Sequence, residues 1–175
     1  KLAFKVNAGY TKATEFEFAD SVYIDRNGDG IKEGYEELEL DKDVELLKVN
    51  GELVYEVGNG WDMKLGAGHS NSTFLSPTNV GRNQIKDWKI NYYQFRLNNE
   101  HWFVQAYYTN SKTDSTYAID ERTKQYYRLL DSGSSDAEAR GPLSYASGAL
   151  FIDNSSRLNG EIQYNNQFGK LNLIT

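Results

Sequence analysis

Cysteine is absent from the chain, which excludes disulfide scaffolds, thiolate nucleophiles and cysteine-ligated zinc. Histidine is scarce: His69 and His101 make up the total of 2, too few for a histidine-rich metal centre. Lys and Arg number 19 against 25 Asp and Glu, for a net charge of -6, and no basic face gathers of the kind that neutralises phosphates. Nucleic acid is not an expected partner. Nowhere do about 18 apolar residues run together, so no transmembrane helix is expected, and the start shows no charged-then-apolar signal segment. Strands that cross a membrane alternate in polarity and escape that test. What the chain does have is 13 Tyr, 15 Gly and 14% aromatic residues in a length of 175, a composition that favours strands and turns in one domain.

Alternation supports that reading. Leu2, Phe4, Val6, Ala8 and Tyr10 share one face of a strand, with Ala3, Lys5, Asn7 and Gly9 on the other. The same period returns over Leu47 to Val57 and from Trp61 to Gly68. Lys89 to Leu97, Trp102 to Tyr108 and Leu158 to Asn165 are further strands, and a last one runs from about Phe168 to the end. The expected fold is all-β, with about seven antiparallel strands in sequence order.

Connections alternate between short and long. Gly58-Asn59-Gly60, Asn98-Asn99-Glu100-His101 and Asn165-Asn166-Gln167 are tight turns, whereas Asp20–Asp43, Ser70–Asp87 and Asn110–Ser155 read as long loops. A short helix is expected from Asp120 to about Leu130, and a further helical turn from Ser135 to Gly141-Pro142. This asymmetry suits an up-and-down transmembrane barrel with short periplasmic turns and long extracellular loops.

Alternation alone does not say whether the apolar face meets a soluble core or lipid. Trp61 and Trp102 each follow a short turn, where an interfacial aromatic girdle belongs. Ten-residue strands, tilted, also match an apolar band about 25 Å tall. Slipping Leu47–Val57 by one residue would turn Lys48, Glu52 and Glu56 into lipid, at up to about 2–4 kcal/mol for a mid-plane basic residue. Hence the charges are expected to face a wet lumen. An odd strand count, and an end at Leu173-Ile174-Thr175 without a terminal aromatic, favour a slice of a larger wall over a complete small barrel.

Three stretches carry a family resemblance: Asn79-Val80-Gly81-Arg82-Asn83-Gln84-Ile85-Lys86-Asp87-Trp88, Asn91-Tyr92-Tyr93-Gln94-Phe95-Arg96 and Trp102-Phe103-Val104-Gln105-Ala106-Tyr107-Tyr108. Together they resemble the barrel region of TonB-dependent outer-membrane receptors of Bacteroidota type. The resemblance implies a barrel of about 22 strands closed by a plug. It also implies energy supplied by the TonB complex, import of a small-molecule, glycan or peptide nutrient, contact with outer-membrane lipid and lipopolysaccharide, and a surface lipoprotein partner. Plug and TonB-contacting segment are not expected within this chain, whose residues 1–175 would be part of a single barrel domain.

One motif carries chemistry of its own. Residues 25–36 match the twelve-position calcium loop, with Asp25, Asn27 and Asp29 at positions 1, 3 and 5, Gly30 at the turn, the Ile31 carbonyl at 7, Glu33 at 9 and Glu36 at 12. Lys32 stands where an apolar residue is usual. The alternative is a polar hairpin loop that simply turns. Around it Glu15, Glu17, Asp20, Glu37, Glu39, Asp41, Asp43 and Glu45 form an acidic stretch, read chiefly as a solvated loop and otherwise as a site for divalent ions or a cationic ligand. No GxSxG elbow accompanies His69, Ser70 and Ser72, and Glu52 with Glu56 suits a lumen wall, so no enzyme is expected. Rival functions are a small eight-stranded anchor or adhesin barrel, or a secreted calcium-stabilised β-domain that binds glycans.

Overall fold

The computed structural model describes residues 1–16, 20–168 and 171–174. Strands β1 (Leu2–Thr14), β4 (Asp43–Gly58), β5 (Trp61–Thr78), β6 (Gly81–Asn98), β7 (Trp102–Ala118), β8 (Leu150–Phe168) and β9 (Leu171–Ile174) form one seven-stranded antiparallel sheet in that order. A separate hairpin, β2 (Ser21–Ile24) and β3 (Glu33–Glu36), lies in the first connection. Helices α1 (Ile119–Asp131) and α2 (Asp136–Arg140), with a 3-10 turn at Pro142–Tyr145, fill the connection between β7 and β8. The chain is all-β in its framework, as expected.

Turn chemistry sets the short ends. Asn59 and Gly60 have φ of 50° and 76°, the left-handed pair that a two-residue hairpin needs to follow the strand twist. At the next such turn the Asn99 side-chain oxygen accepts from the backbone N–H of His101 (2.8 Å) and Trp102 (2.7 Å). The third expected turn, Asn165–Gln167, is instead strand, because β8 runs on to Phe168 and pairs there with Leu171.

Ser70–Asp87 is likewise not a loop. Strands β5 and β6 continue through it and turn only at Thr78–Gly81. The register shifts between Ser72 and Phe74, and Asp87 takes φ 50°, so Lys86 and Asp87 bulge against one residue of β5. A bulge moves later side chains to the other face, and the alternation that marks a strand fails there. Beside it β6 and β7 lose direct pairing, and hydroxyls fill the gap. Thr116 accepts from the Lys86 N–H (3.1 Å) while Thr113 donates to the Lys86 carbonyl (3.1 Å), both threonines being buried. Thr116→Val therefore leaves a shielded N–H without its acceptor, and an unfolding free-energy loss of about 1–3 kcal/mol is expected in denaturant titration.

The same cross-strand rows show what each face carries. Val6, Gly51, Ala67, Tyr93, Tyr108 and Leu158 stand side by side, as do Phe4, Leu53, Leu65, Phe95, Ala106 and Gly160, then Leu2, Tyr55, Met63, Leu97, Val104 and Ile162. Opposite them lie Lys5, Glu52, Gly66, Gln94, Tyr107 and Asn159, then Ala3, Val54, Lys64, Arg96, Gln105 and Glu161. Exposure is inverted relative to a soluble sheet. Leu53, Leu65 and Tyr93 are exposed while Glu52, Lys64 and Gln94 beside them are half-buried. At the sheet margins Phe4 is 78% and Leu158 74% accessible.

The small apolar cores lie elsewhere, beneath the long connections. Leu75, Tyr117 and Ile119 cluster with Leu40, Tyr145 and Leu150, and Leu38, Tyr126 and Ala139 cluster with Tyr127, Leu129 and Leu130. Helix α1 begins one residue before Asp120 with Ala118 as an unassisted N-cap. Helix α2 has Ser135 in a reciprocal capping box with Glu138, a signal present in the sequence.

Candidate functional site

The connections at the elaborated end fold into one cap. Its organiser is the segment Glu37-Leu38-Glu39-Leu40-Asp41, which alternates like a strand without pairing as one. Leu38 and Leu40 each enter one of the apolar clusters. The acids between them meet bases from distant elements: Glu37 grips Arg82 through two bonds, Glu39 pairs with Arg140 (2.7 Å) and Arg122 (3.7 Å), and Asp41 pairs with Lys86 (2.9 Å). Backbone groups are satisfied as well, the Leu38 N–H by the Thr123 hydroxyl (3.0 Å) and the Asp41 N–H by the Gln84 side-chain oxygen (3.2 Å).

This corrects the reading of the acidic stretch as a solvated loop for Glu37, which is buried against Arg82, and for Asp41, which is half-buried; Asp20, Glu39 and Asp43 are exposed, Glu45 pairs with Lys12 (2.8 Å), and Glu17 lies outside the described residues. The error has a physical source: charge counting along the chain cannot see bases 45 to 101 residues away, the separations of Asp41 from Lys86 and of Glu39 from Arg140. The available signal was the Leu alternation. Arg122 went unnoticed for the same reason; it is buried between the rings of Tyr117 and Tyr145 and donates to Ser144 (3.1 Å) and the Arg140 carbonyl (3.2 Å).

The Lys86 ammonium holds the Asp41 carboxyl below its usual 3.8, assisted by the Asp43 N–H and opposed by burial. In return Asp41 raises Lys86 above 10.5. A lowered carboxylate stabilises the fold above its unfolded value, and that contribution is lost as pH falls through the folded value. The raised lysine stabilises below its unfolded value and loses this as pH climbs through the folded one. The protection of the Asp41 and Leu38 amides, exchange taken relative to the intrinsic rate at each pH, is accordingly expected to fall below pH about 3.8 and again above about 10.5, with a plateau between them.

Residues 25–36 form the β2–β3 hairpin and its loop. The Asp25 carboxylate accepts from the Gly28 N–H (2.7 Å) and the Gly30 N–H (2.9 Å), and Asp29 accepts from the Ile31 N–H (2.7 Å) and the Asn27 amide (3.0 Å). Gly28 and Gly30 have φ of 74° and 85°, which lets the chain coil around these side chains. Asp25, Asn27, Asp29 and the Ile31 backbone are thus brought together. Glu33 is taken by the Tyr35 hydroxyl (2.7 Å) beside the loop, while Glu36 pairs with Ser21 at the far end of the hairpin, roughly 10 Å along the strand. Among the described residues no three His, Cys, Asp or Glu side chains converge as a metal-holding group.

The chain matches no family model, no curated protein and no solved structure. Its geometry must carry the functional reading.

The remaining sequence candidates separate cleanly. His69 lies on the apolar-side face with its Nδ1 2.8 Å from Asn91, whereas Ser70 and Ser72 face the other way, so they do not form a nucleophilic pair. Glu52 bonds Lys64 (3.1 Å) across the polar face. Tyr92 and Tyr107 stack on that polar face with centroids 6.0 Å apart, Tyr93 and Tyr108 on the apolar one at 6.3 Å, and Tyr126 and Tyr127 pack in the cap at 4.9 Å. Trp102 packs on Tyr164 (4.7 Å) at the short-turn edge.

Proposed function

We propose that this chain is a wall segment of a TonB-dependent outer-membrane receptor of a Gram-negative bacterium, importing a nutrient across the outer membrane. The observation that carries the reading is a continuous apolar face in which Leu53, Leu65 and Tyr93 of the central strands are exposed while Glu52, Lys64 and Gln94 on the opposite face are half-buried. Soluble monomers rarely leave contiguous apolar patches larger than a few hundred Å² in water, whereas lipid-facing walls require them.

The outline of the apolar band adds support. On β1 and β4 it continues up to Tyr10 and Leu47, but on β5, β6, β7 and β8 it stops four residues lower, where His69, Asn91, Asn110 and Ser156 and then Asn71, Lys89, Lys112 and Asn154 take over. A membrane plane crossing tilted strands would cut them in this oblique way. Trp61, Trp102 and Tyr164 edge the band at the short turns, and the Lys12–Glu45 pair closes it toward the cap. Among the described residues, β1 pairs on one side only, which favours a portion of a large wall over a small closed barrel. Lipid and lipopolysaccharide would contact the apolar band. Plug and TonB complex would act through other parts of the receptor, and a lipoprotein partner would meet the cap side. No catalytic role is proposed.

Single-tryptophan forms test this reading in vesicles. Bromolipids should quench Trp61 and Trp102 and spare Trp88, which bonds Ser111 on the polar face (2.9 Å). Equal quenching of all 3, or a folded monomer readily soluble without detergent, defeats the proposal.

Calcium belongs to the same proposal as a stabiliser of the first loop, held by Asp25, Asn27, Asp29 and the Ile31 carbonyl, with Glu33 nearest to complete the oxygens and Glu36 reaching in only if β3 frays. At about a hundredfold excess over its dissociation constant it is expected to stabilise the cap by about 2.7 kcal/mol. Asp25→Ala should abolish that gain; a titration with neither heat nor thermal shift removes the site.

A further inference from the structure

Between the β2–β3 hairpin and α1 lies a cleft of about 500 Å³, within the range of small-ligand sites. Its walls are already braced. Arg26 bonds Asp131 through its Nε (3.0 Å) and its Nη2, with the guanidinium lying against the rings of Tyr35 and Tyr127. Lys124 bonds Asp120 (2.9 Å) and Glu121 (2.8 Å). Asp25 has both oxygens engaged by backbone N–H groups. Once these are paired, Lys32 and Arg128 line the cleft, both exposed and with no carboxylate partner among the described residues. Tyr23, also lining it, is 63% accessible, opposite Gly34 in the hairpin.

We propose that this cleft binds a carboxylated saccharide. The two free cations suit one anionic group, the arginine by a bidentate bond and the lysine as a point charge. An open tyrosine ring offers a flat apolar face to the C–H side of a pyranose. Asp25, Glu121 and Asp131 keep spare lone pairs that sugar hydroxyls can use. The same acids repel polyphosphates and other dense anions. A zwitterionic peptide fits less well, because its ammonium needs an uncommitted carboxylate: Glu121 and Asp131 are paired with cations, and both Asp25 oxygens are engaged by backbone N–H groups. The inference stands whether or not the sheet lies in a membrane.

The test is calorimetric titration of the folded protein with trigalacturonate, with maltotriose, inorganic phosphate and a dipeptide as comparators. Trigalacturonate is expected to bind and maltotriose not. Lys32→Ala, Arg128→Ala and Tyr23→Ala should each weaken binding by about tenfold or more, the loss of one charge-assisted bond or stacking contact. Amide protection at Leu38 should be unchanged in all three, since these side chains are exposed. Equal binding of maltotriose, phosphate displacing the sugar with Tyr23→Ala silent, preference for the dipeptide, or no binding at all each overturns the proposal.

Discussion

Glu37→Ala should unfasten the cap from the sheet while leaving the sheet itself folded. The Glu37 side chain is 3% accessible and its partner Arg82 11%, and both carboxylate oxygens take guanidinium bonds from Nε and Nη2. Removing one member of so buried a pair takes from Arg82 its bidentate counter-ion, a loss that for buried pairs typically costs about 3–5 kcal/mol. That is a large share of a domain stability of roughly 5–15 kcal/mol. The effect should be local, because the pair ties the segment before β4 to the start of β6 and to nothing in the lower sheet. Amide exchange at Leu38 and through α1 should rise by about two orders of magnitude or more, with β5 and β6 near Leu65 and Phe95 unchanged.

A second variant separates charge from packing. Replacing both members, Glu37→Leu with Arg82→Met, removes the desolvation penalty along with the attraction and should recover most of the lost protection. If Glu37→Ala alone changes exchange at Leu38 by less than about fivefold, worth about 1 kcal/mol, the pair does not hold the cap.

How far the sequence already contained this architecture depends on the range of the physics involved. Period two in Leu2–Tyr10 and Leu47–Val57 placed the strands because side-chain direction is a local property of extended backbone. Gly58-Asn59-Gly60 was legible because left-handed φ is a property of single residues. Strand ends were not: the bulge at Lys86–Asp87 is specified by what Thr73, Thr113 and Thr116 offer across the sheet, so β5 and β6 looked like loop where they are longest. In the candidate site, Asp25, Asn27 and Asp29 were visible as a spaced motif, and their convergence follows from the glycines between them. Glu36 escaped that logic, since the strand pairing of β3 fixes its position. The cleft was invisible, for Lys32 and Arg128 lie on elements brought together by the Arg26–Asp131 pair, 105 residues apart, and by the Tyr35–Tyr127 ring contact.

Leu53→Lys and Leu65→Lys should each destabilise the inserted protein by about 2–4 kcal/mol, and the size of the loss distinguishes lipid from water. Both residues sit mid-band, Leu53 between Phe4 and Leu65 in one cross-strand row and Leu65 beside Phe95. Both are exposed, so in an aqueous protein a lysine there changes stability by no more than about 0.5 kcal/mol and improves solubility. Facing acyl chains, the same ammonium costs about 2–4 kcal/mol at the bilayer mid-plane, falling toward zero at the interfaces. Depth therefore becomes readable: Tyr10→Lys, at the upper edge of the band on β1, should cost about 1 kcal/mol or less. Asn159→Lys on the polar face should be close to neutral, because that surface already carries Lys5, Lys64 and Arg96 beside its acids. Unfolding from phospholipid vesicles measures all four on one scale. A graded penalty, largest at Leu53 and Leu65 and vanishing at Asn159, requires a hydrocarbon slab on one side of the sheet. Four equal and small values mean that the apolar face meets water or another protein surface, and the receptor-wall reading falls with them.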